Sequence, residues 1–188
     1  MFAPVDGEIM AGAELRGIDP QMEQRIGGLA DVITTGRLTD LAGGDYRIIL
    51  GDVLAGELGV RVGDSVVVVA PQGNVTPAGV VPPMRRFEVA GLFSSGMYEY
   101  DRYLALVHVQ DASRLLRFGD AMSGVRLALH DPLAAPAVVR SVAEDLSEQL
   151  GRNYMISDWT RIHPNFFRSI QMTKSLLFVI LSMIVAIA

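Results

Sequence analysis

The last thirteen residues constrain this chain most. Leu176-Leu-Phe-Val-Ile-Leu-Ser-Met-Ile-Val-Ala-Ile-Ala188 has no charge, no Pro and no Gly, and only Ser182 interrupts the apolar run. Crossing a bilayer takes roughly 20 apolar residues, so the run reads as the start of a transmembrane helix that is cut short. The alternative, a C-terminal core helix of a soluble protein, would show a polar face and a cap, and neither is present. Just ahead, Pro164–Lys174 sets Phe166, Phe167, Ile170 and Lys174 near one helical face, with Arg168 and Gln171 on another. Aromatic and cationic residues beside an apolar run suit a headgroup zone. Leu176, Phe178, Ile180 and Ile184 are the positions expected against lipid. The Arg161, Arg168 and Lys174 cluster alone would favour a cytoplasmic side, so orientation has to come from elsewhere.

The N-terminus carries no such signal. Met1-Phe-Ala-Pro-Val-Asp-Gly-Glu8 lacks the cationic start and apolar stretch of a secretory leader. If the domain is exported, something upstream carries it, and the expectation is a segment cut at both ends.

Composition narrows the classes further. Of 188 residues half are hydrophobic and 20% are charged, which excludes a disordered chain and allows a buried core. A net charge of -5 without a Lys/Arg block argues against a nucleic-acid partner, because grip on phosphate backbones needs clustered positive charge. With no Cys, disulfides, thiol nucleophiles and Cys-ligated zinc are impossible, while the compartment stays open.

Along the chain, short strands and helices alternate without repeats. Strands are expected at Gly7–Gly12, Ala13–Ile18, Arg47–Leu50, Ser65–Ala70, Arg86–Leu92, Tyr103–Val109, Ser123–Leu129 and Tyr154–Ile156. Ser65–Ala70, a β-branched run, is expected to be buried on both faces or at a sandwich core. Asp19 caps a helix opened by Pro20 and broken at Gly27-Gly28, and Leu29–Thr35 resumes a helical turn. Asp52–Leu58 is a helix closed by Gly59, and Val60–Asp64 is a turn. Asp111 is expected to cap a helix ending at Gly119, Leu133–Leu150 to form the longest amphipathic helix, and Asp158 to cap the helix leading into the apolar run. A β-rich centre flanked by βα units predicts an α+β architecture with a β-rich insert.

Motifs for chemistry are missing. There is no Gly-x4-Gly-Lys-Ser/Thr loop and no Gly-x-Gly-x-x-Gly opening a helix. His108, His130 and His163 stand apart, without a second ligand at metal spacing. Ser94-Ser95-Gly96 is not a nucleophile elbow. Glu99 and Asp101, in a Tyr-rich loop, are the one conceivable acid pair. The expectation is no enzyme, no metal and no cofactor.

One connection stands out. Pro71 to Phe87 joins two strands by about 14 residues, where a hairpin usually needs two to five. Pro71, Pro77, Pro82 and Pro83 with Gly73 and Gly79 forbid a helix and stiffen it. It also holds Val75, Val80, Val81 and Met84, apolar residues that a loop tip does not ordinarily expose. A stiff, apolar-tipped loop suits partner recognition, because stiffness lowers the ordering cost and exposed Val and Met supply buried area. The competing reading is a packed Ω-loop with its valines folded back.

Several residues carry a family resemblance. Ile49-Leu-Gly51, Leu58-Gly-Val60, Val62-Gly-Asp64, Thr76-Pro-x-Gly79, Pro82, Arg85-x-Phe87, Ser123-Gly124, Phe166-Phe-Arg168 and Ile170-Gln-Met172 occur in that order. Together, over nearly the whole chain, they resemble the membrane subunits of the Lol lipoprotein-releasing ABC transporter of Gram-negative bacteria, the LolC/LolE family. The resemblance implies a MacB-like periplasmic domain at 1–168, with a porter-like α/β part, a β-rich Sabre-like part and an N-terminal portion missing. Residues 169–188 would then be the truncated start of the second transmembrane helix in the inner membrane. It also implies partners: a LolD-type ATPase subunit, a LolA-type periplasmic carrier, acylated lipoproteins, and a second membrane subunit in a homo- or heterodimer. The hook of that family, which recruits the carrier, maps to 72–85 with Thr76, Pro77, Gly79, Val80, Val81 and Pro82. Its nearby pad maps to Met84, where a Gln is usual, and Arg85. The strand position that bears a further pad Arg falls within Val66–Val68. Gly96-Met-Tyr-Glu-Tyr-Asp101 is similar to the combined LolF type, so a LolF- or LolC-like subunit is expected over LolE. A MacB-like efflux or cell-division permease is the alternative, and a soluble enzyme using Glu99 and Asp101 is a third reading.

Overall fold

The computed structural model describes residues 1–5, 9–26, 28–71, 74–76, 79–119, 121–150, 155–162 and 164–187. At 74–76, 79–80, 147, 150, 162, 164, 166 and 187 only the backbone is described. Expectations resting on Gly7, Gly27, Gly73, Pro77, Gly151, Tyr154 and His163, and on the side chains of Thr76, Val75, Val80 and Phe166, lie outside these residues. The chain divides into two units, 1–126 and 127–188.

The first unit opens with β1 (Phe2–Pro4), β2 (Glu14–Ile18) and α1 (Pro20–Ile26). The first strand thus lies earlier than Gly7–Gly12. Of the described part of that stretch, 9–12, only Ala11 pairs, bridging back to Phe2. Asp19 caps α1 as expected, its carboxylate accepting from the N–H groups of Gln21 (2.9 Å) and Met22 (3.2 Å). A short 3-10 turn, Ala30–Val32, then leads into β3 (Ile33–Thr35), where a helical turn throughout was expected. Ile33 and Thr35 are β-branched and pair with a later strand, which decides the competition.

Next come β4 (Arg47–Gly51), α2 (Asp52–Leu58) and β5 (Ser65–Val69). Gly59 ends α2 in the left-handed region, φ +67°. Its N–H reaches the Gly56 carbonyl, and the Val60 N–H reaches that of Ala55, the paired closure that satisfies orphan helix carbonyls. The chain continues with β6 (Asn74–Thr76), β7 (Gly79–Val81), β8 (Met84–Phe93), α3 (Tyr98–Tyr103), β9 (Leu104–His108) and α4 (Val109–Leu116).

Seven strands form one mixed sheet in the order β1-β5-β8-β4-β9-β2, with β3 also on β8, while β6 and β7 form a separate ladder. Strand β4 runs parallel to β8 and antiparallel to β9. Side chains alternate across a strand, so Ile48 and Leu50 enter one core with Leu54, Val66, Phe87 and Val107. Ile49 enters the other with Leu41, Phe93 and Leu106. Covered on both faces, β4 is the buried strand its apolar run predicts. Strand β5 departs from expectation: Val66 and Val68 are buried, but Ser65, Val67 and Val69 are half-buried, so only one face meets the core.

Two further departures are informative. A helix, α3, occupies what reads as a Tyr-rich loop, and the end of β4 abuts it so closely that a Cβ on Gly51 would strike the Asp101 carbonyl. Ser123–Leu129, despite its alternation, forms no strand; Val125 and Leu127 are exposed and no ladder partner pairs with them among the described residues. Alternation makes a strand only where an edge receives it.

The second unit comprises a 3-10 turn (Pro132–Ala134), α5 (Ala135–Leu150), α6 (Trp159–Ile162) and α7 (Pro164–Ile187). Asp131 caps the turn through the Leu133 N–H (2.9 Å). Met155 and Ile156, the described part of the expected last strand, are irregular. Observed architecture is therefore α+β with a terminal apolar helix.

Candidate functional site

The long connection is not a loop but an arm of sheet. Strand β5 pairs antiparallel with β8 from Ser65↔Glu88 to Val69↔Met84. Beyond them β6 and β7 pair from Asn74↔Val81 to Thr76↔Gly79. Between the ladders lie 70–73 on one side and Pro82-Pro83 on the other, so the hairpin resumes with its register shifted by two residues. Prolines have no N–H to give a ladder, and Pro71, Pro82 and Pro83 fall at this break. One bond crosses it, from the Ala70 N–H to the Pro83 carbonyl at 3.0 Å.

Of the expected hook residues, Gly79, Val80 and Val81 lie on β7 and Thr76 on β6. Val81 is 51% exposed and Met84 58%. Pro82 is half-buried. Met84 and Arg85, the positions expected in the pad, open β8 of the main sheet, so the last two residues of the expected 72–85 span lie on that sheet and not on β6 or β7. Arg85 pairs in register with Val68. Its guanidinium lies over the Tyr46 ring, 4.9 Å from the centroid. Where a further pad cation is expected, Val66 and Val68 are buried in the core.

Two residues near Arg85 carry no motif and were not expected at a site. Tyr46 adopts φ +52°, uncommon for a bulky residue, and its ring meets the Phe87 ring edge-on at 5.6 Å. Asp111 is completely buried. Its carboxylate accepts from the Gly44 N–H (2.9 Å), the Tyr46 N–H (3.3 Å) and Arg114 (3.3 Å). Asp111 is thus not the cap of α4; His108 is, its Nδ1 accepting from the Gln110 N–H at 3.2 Å. Spacing alone could not separate them, since each lies near the helix start.

The two carboxylates of the conceivable acid pair have different surroundings. Asp101 is buried and accepts from the Ser95 N–H and hydroxyl, each at 2.7 Å, while Glu99 is exposed. An open groove lined by Pro4, Leu58, Val60, Asp64, Ser65 and Arg86 includes neither carboxylate.

In the second unit, Asp158 caps α6 as expected. Its carboxylate accepts from the Thr160 hydroxyl (2.5 Å) and from the N–H groups of Thr160 (2.8 Å) and Arg161 (3.2 Å). These donors, the Thr160 hydroxyl foremost, hold its carboxyl below the usual range. The Trp159 indole N–H donates to the Pro132 carbonyl (2.7 Å), and its ring meets Phe167 edge-on at 5.6 Å. Helix α7 carries a 20-residue window, Phe167–Ala186, long and apolar enough to cross a membrane and wholly unburied. At 1.5 Å per residue that is about 30 Å, the thickness of a bilayer core. The thirteen-residue count thus understates the apolar stretch, because helix continuity brings in residues from Phe167 onward. Leu176, Phe178, Ile180 and Ile184 are all exposed on it.

No protein-family model matches the chain. Curated proteins do. It is 40% identical over 182 residues to the lipoprotein-releasing system transmembrane protein LolC of Neisseria meningitidis serogroup B, covering 97% of this chain and 43% of that protein. The LolC of Xylella fastidiosa strain Temecula1 is 42% identical over 184 residues, covering 98% of this chain and 43% of that protein. The chain is a homologue of the LolC/LolE transmembrane proteins. It spans less than half the length of these relatives. In Haemophilus influenzae the LolC protein matches at 29% over 147 residues and the LolE protein at 23% over 187. As a LolC/LolE homologue it has in α7 a helix that agrees with the transmembrane description of its relatives.

Proposed function

We propose that this chain is part of a membrane subunit of an ABC transporter that releases lipoproteins from the inner membrane. Its β6–β7 arm is the hook that recruits a soluble LolA-type carrier. The body corresponds to a MacB-like periplasmic domain with porter-like and Sabre-like parts, and α7 anchors it in the inner membrane. A LolD-type ATPase and a second membrane subunit complete the complex, and acylated lipoproteins are its cargo. The chain itself carries out no chemistry: hydrolysis in the ATPase moves the membrane helices, and the segment from Asp158 onward transmits the motion.

One observation carries the reading. Past the proline break Val81 on the arm is half in solvent, and Met84, on the sheet side of that break at the start of β8, is exposed as well. Exposed apolar residues on a stiff projection bind a partner with little ordering cost. Thr76, Pro77, Gly79 and Pro82 are the remaining positions assigned to the hook, Val80 and Val81 pack against the carrier, and Arg85 pairs with an acidic carrier residue. Similarity to LolC proteins on both sides of the arm supports the assignment.

Pull-down of purified carrier by the full-length subunit tests it. Pro77→Glu abolishes capture, since an unpaired charge buried in an interface costs about 3–5 kcal/mol. Undiminished capture removes the hook assignment. Capture of an efflux adaptor protein in place of the carrier turns the reading to a MacB-like efflux permease.

A further inference from the structure

Arg85 sits on the sheet at the foot of the arm, and its charge is uncommitted: among the described residues it enters no ion pair. Its guanidinium lies instead over an aromatic face, 4.9 Å from the Tyr46 centroid. We infer that Tyr46 is a platform that pre-orients Arg85 toward a carboxylate on the partner, and that buried Asp111 is the positioning residue that fixes the platform. The inference rests on the reading of Arg85 as a partner-binding residue and deepens it.

The geometry is built rather than incidental. Tyr46 holds a positive φ that a bulky side chain avoids, and such strain persists only where surrounding contacts over-determine it. Two contacts do so. The Asp111 carboxylate, fully buried, takes the N–H groups of Gly44 and Tyr46. The Tyr46 ring is braced edge-on against buried Phe87, two residues along β8 from Arg85 and on the same strand face. A free arginine loses rotamer entropy when it binds. Stacked flat on a braced ring, it has lost part of that freedom beforehand, and its N–H edges stay free to fork onto a carboxylate.

The test is titration of the full-length subunit with purified carrier, using Arg85→Ala, Tyr46→Leu, Tyr46→Phe and the Arg85→Ala/Tyr46→Leu double variant. Arg85→Ala weakens binding about tenfold or more. Tyr46→Leu, which keeps side-chain bulk but loses the π face, weakens it about two- to fivefold. Tyr46→Phe keeps wild-type affinity, and the double variant is no weaker than Arg85→Ala, since the ring acts only through the arginine. Wild-type affinity in Tyr46→Leu, beside weakened Arg85→Ala, overturns the platform and leaves the Arg85 assignment standing. Wild-type affinity in Arg85→Ala overturns both. A reading independent of folding in the variants comes from the wild-type chain: the Arg85 δ-methylene protons resonate upfield because of the Tyr46 ring current. Resonance at the unshifted position overturns the platform outright.

Discussion

Strand β5 and the β6–β7 arm are adjacent and both rich in valine, yet they meet different fates. Val66 and Val68 vanish into a core shared with Phe87 and Leu54, whereas Val81, on the far side of the proline break, stays half in solvent. Residue type is the same; what differs is whether a third strand and a helix lie against it. Strand β5 has β1 on one side and β8 on the other, while among the described residues β6 and β7 pair only with each other. A two-stranded ladder is marginal on its own, so this one endures because it extends a pair anchored in the sheet. The body therefore carries stability, and the arm carries apolar surface that folding does not need.

The largest effect that would sharpen this division is on binding. Val81→Glu is expected to cost about 3–5 kcal/mol of carrier affinity, measured by titration, while leaving the denaturation midpoint within about 0.5 kcal/mol of wild type. Its converse is Leu50→Ala, in the strand covered on both faces. It should lower unfolding stability by about 2–5 kcal/mol in a denaturant melt and leave affinity per folded molecule unchanged. If each variant moves both properties, the arm and the body are one cooperative piece and the comparison fails.

Much of the body is written locally. Asp19-Pro20 and Gly59 mark helix ends that the hydrogen bonds bear out, because caps are settled by neighbours within a turn. The apolar run of β4 announces a strand buried on both faces. Elements whose outcome depends on distant partners are less legible. Ser123–Leu129 alternates like a strand and has no ladder partner among the described residues. Residues 74–76 and 79–81 look like loop because prolines flank them, yet they pair with each other. Of the candidate site, the arm and Arg85 are visible in sequence order, whereas Tyr46 and Asp111 join it only through folding, across separations no local pattern spans.

Asp111 offers a smaller test, in the body, where it holds the 44–46 segment. Asp111→Ala removes the buried carboxylate that accepts from the Gly44 and Tyr46 N–H groups. Losing hydrogen bonds to a charged acceptor costs about 1.5–3 kcal/mol, so unfolding stability in a denaturant melt should fall by that order. Asp111→Asn, which retains an oxygen acceptor, should recover most of it. A loss in Asp111→Ala no greater than in Asp111→Asn would mean that the 44–46 segment holds its shape unaided.

The smallest effect is a pH dependence confined to the second unit. The Asp158 carboxyl is held below its ordinary value, first by the Thr160 hydroxyl and then by the N–H groups of Thr160 and Arg161. A carboxyl whose folded pKa lies below its unfolded one binds fewer protons in the folded state near that pH, so stability rises with pH there. The contribution of the cap is therefore complete above the unfolded value, near 4, and is lost as pH falls through the lowered folded value. Circular dichroism at decreasing pH should show the α6 segment loosening only in that acidic window. Asp158→Asn should flatten the response there. A wild-type profile that changes instead between pH 5 and 7 would assign the transition to some other group and break the link between this cap and the helix it opens.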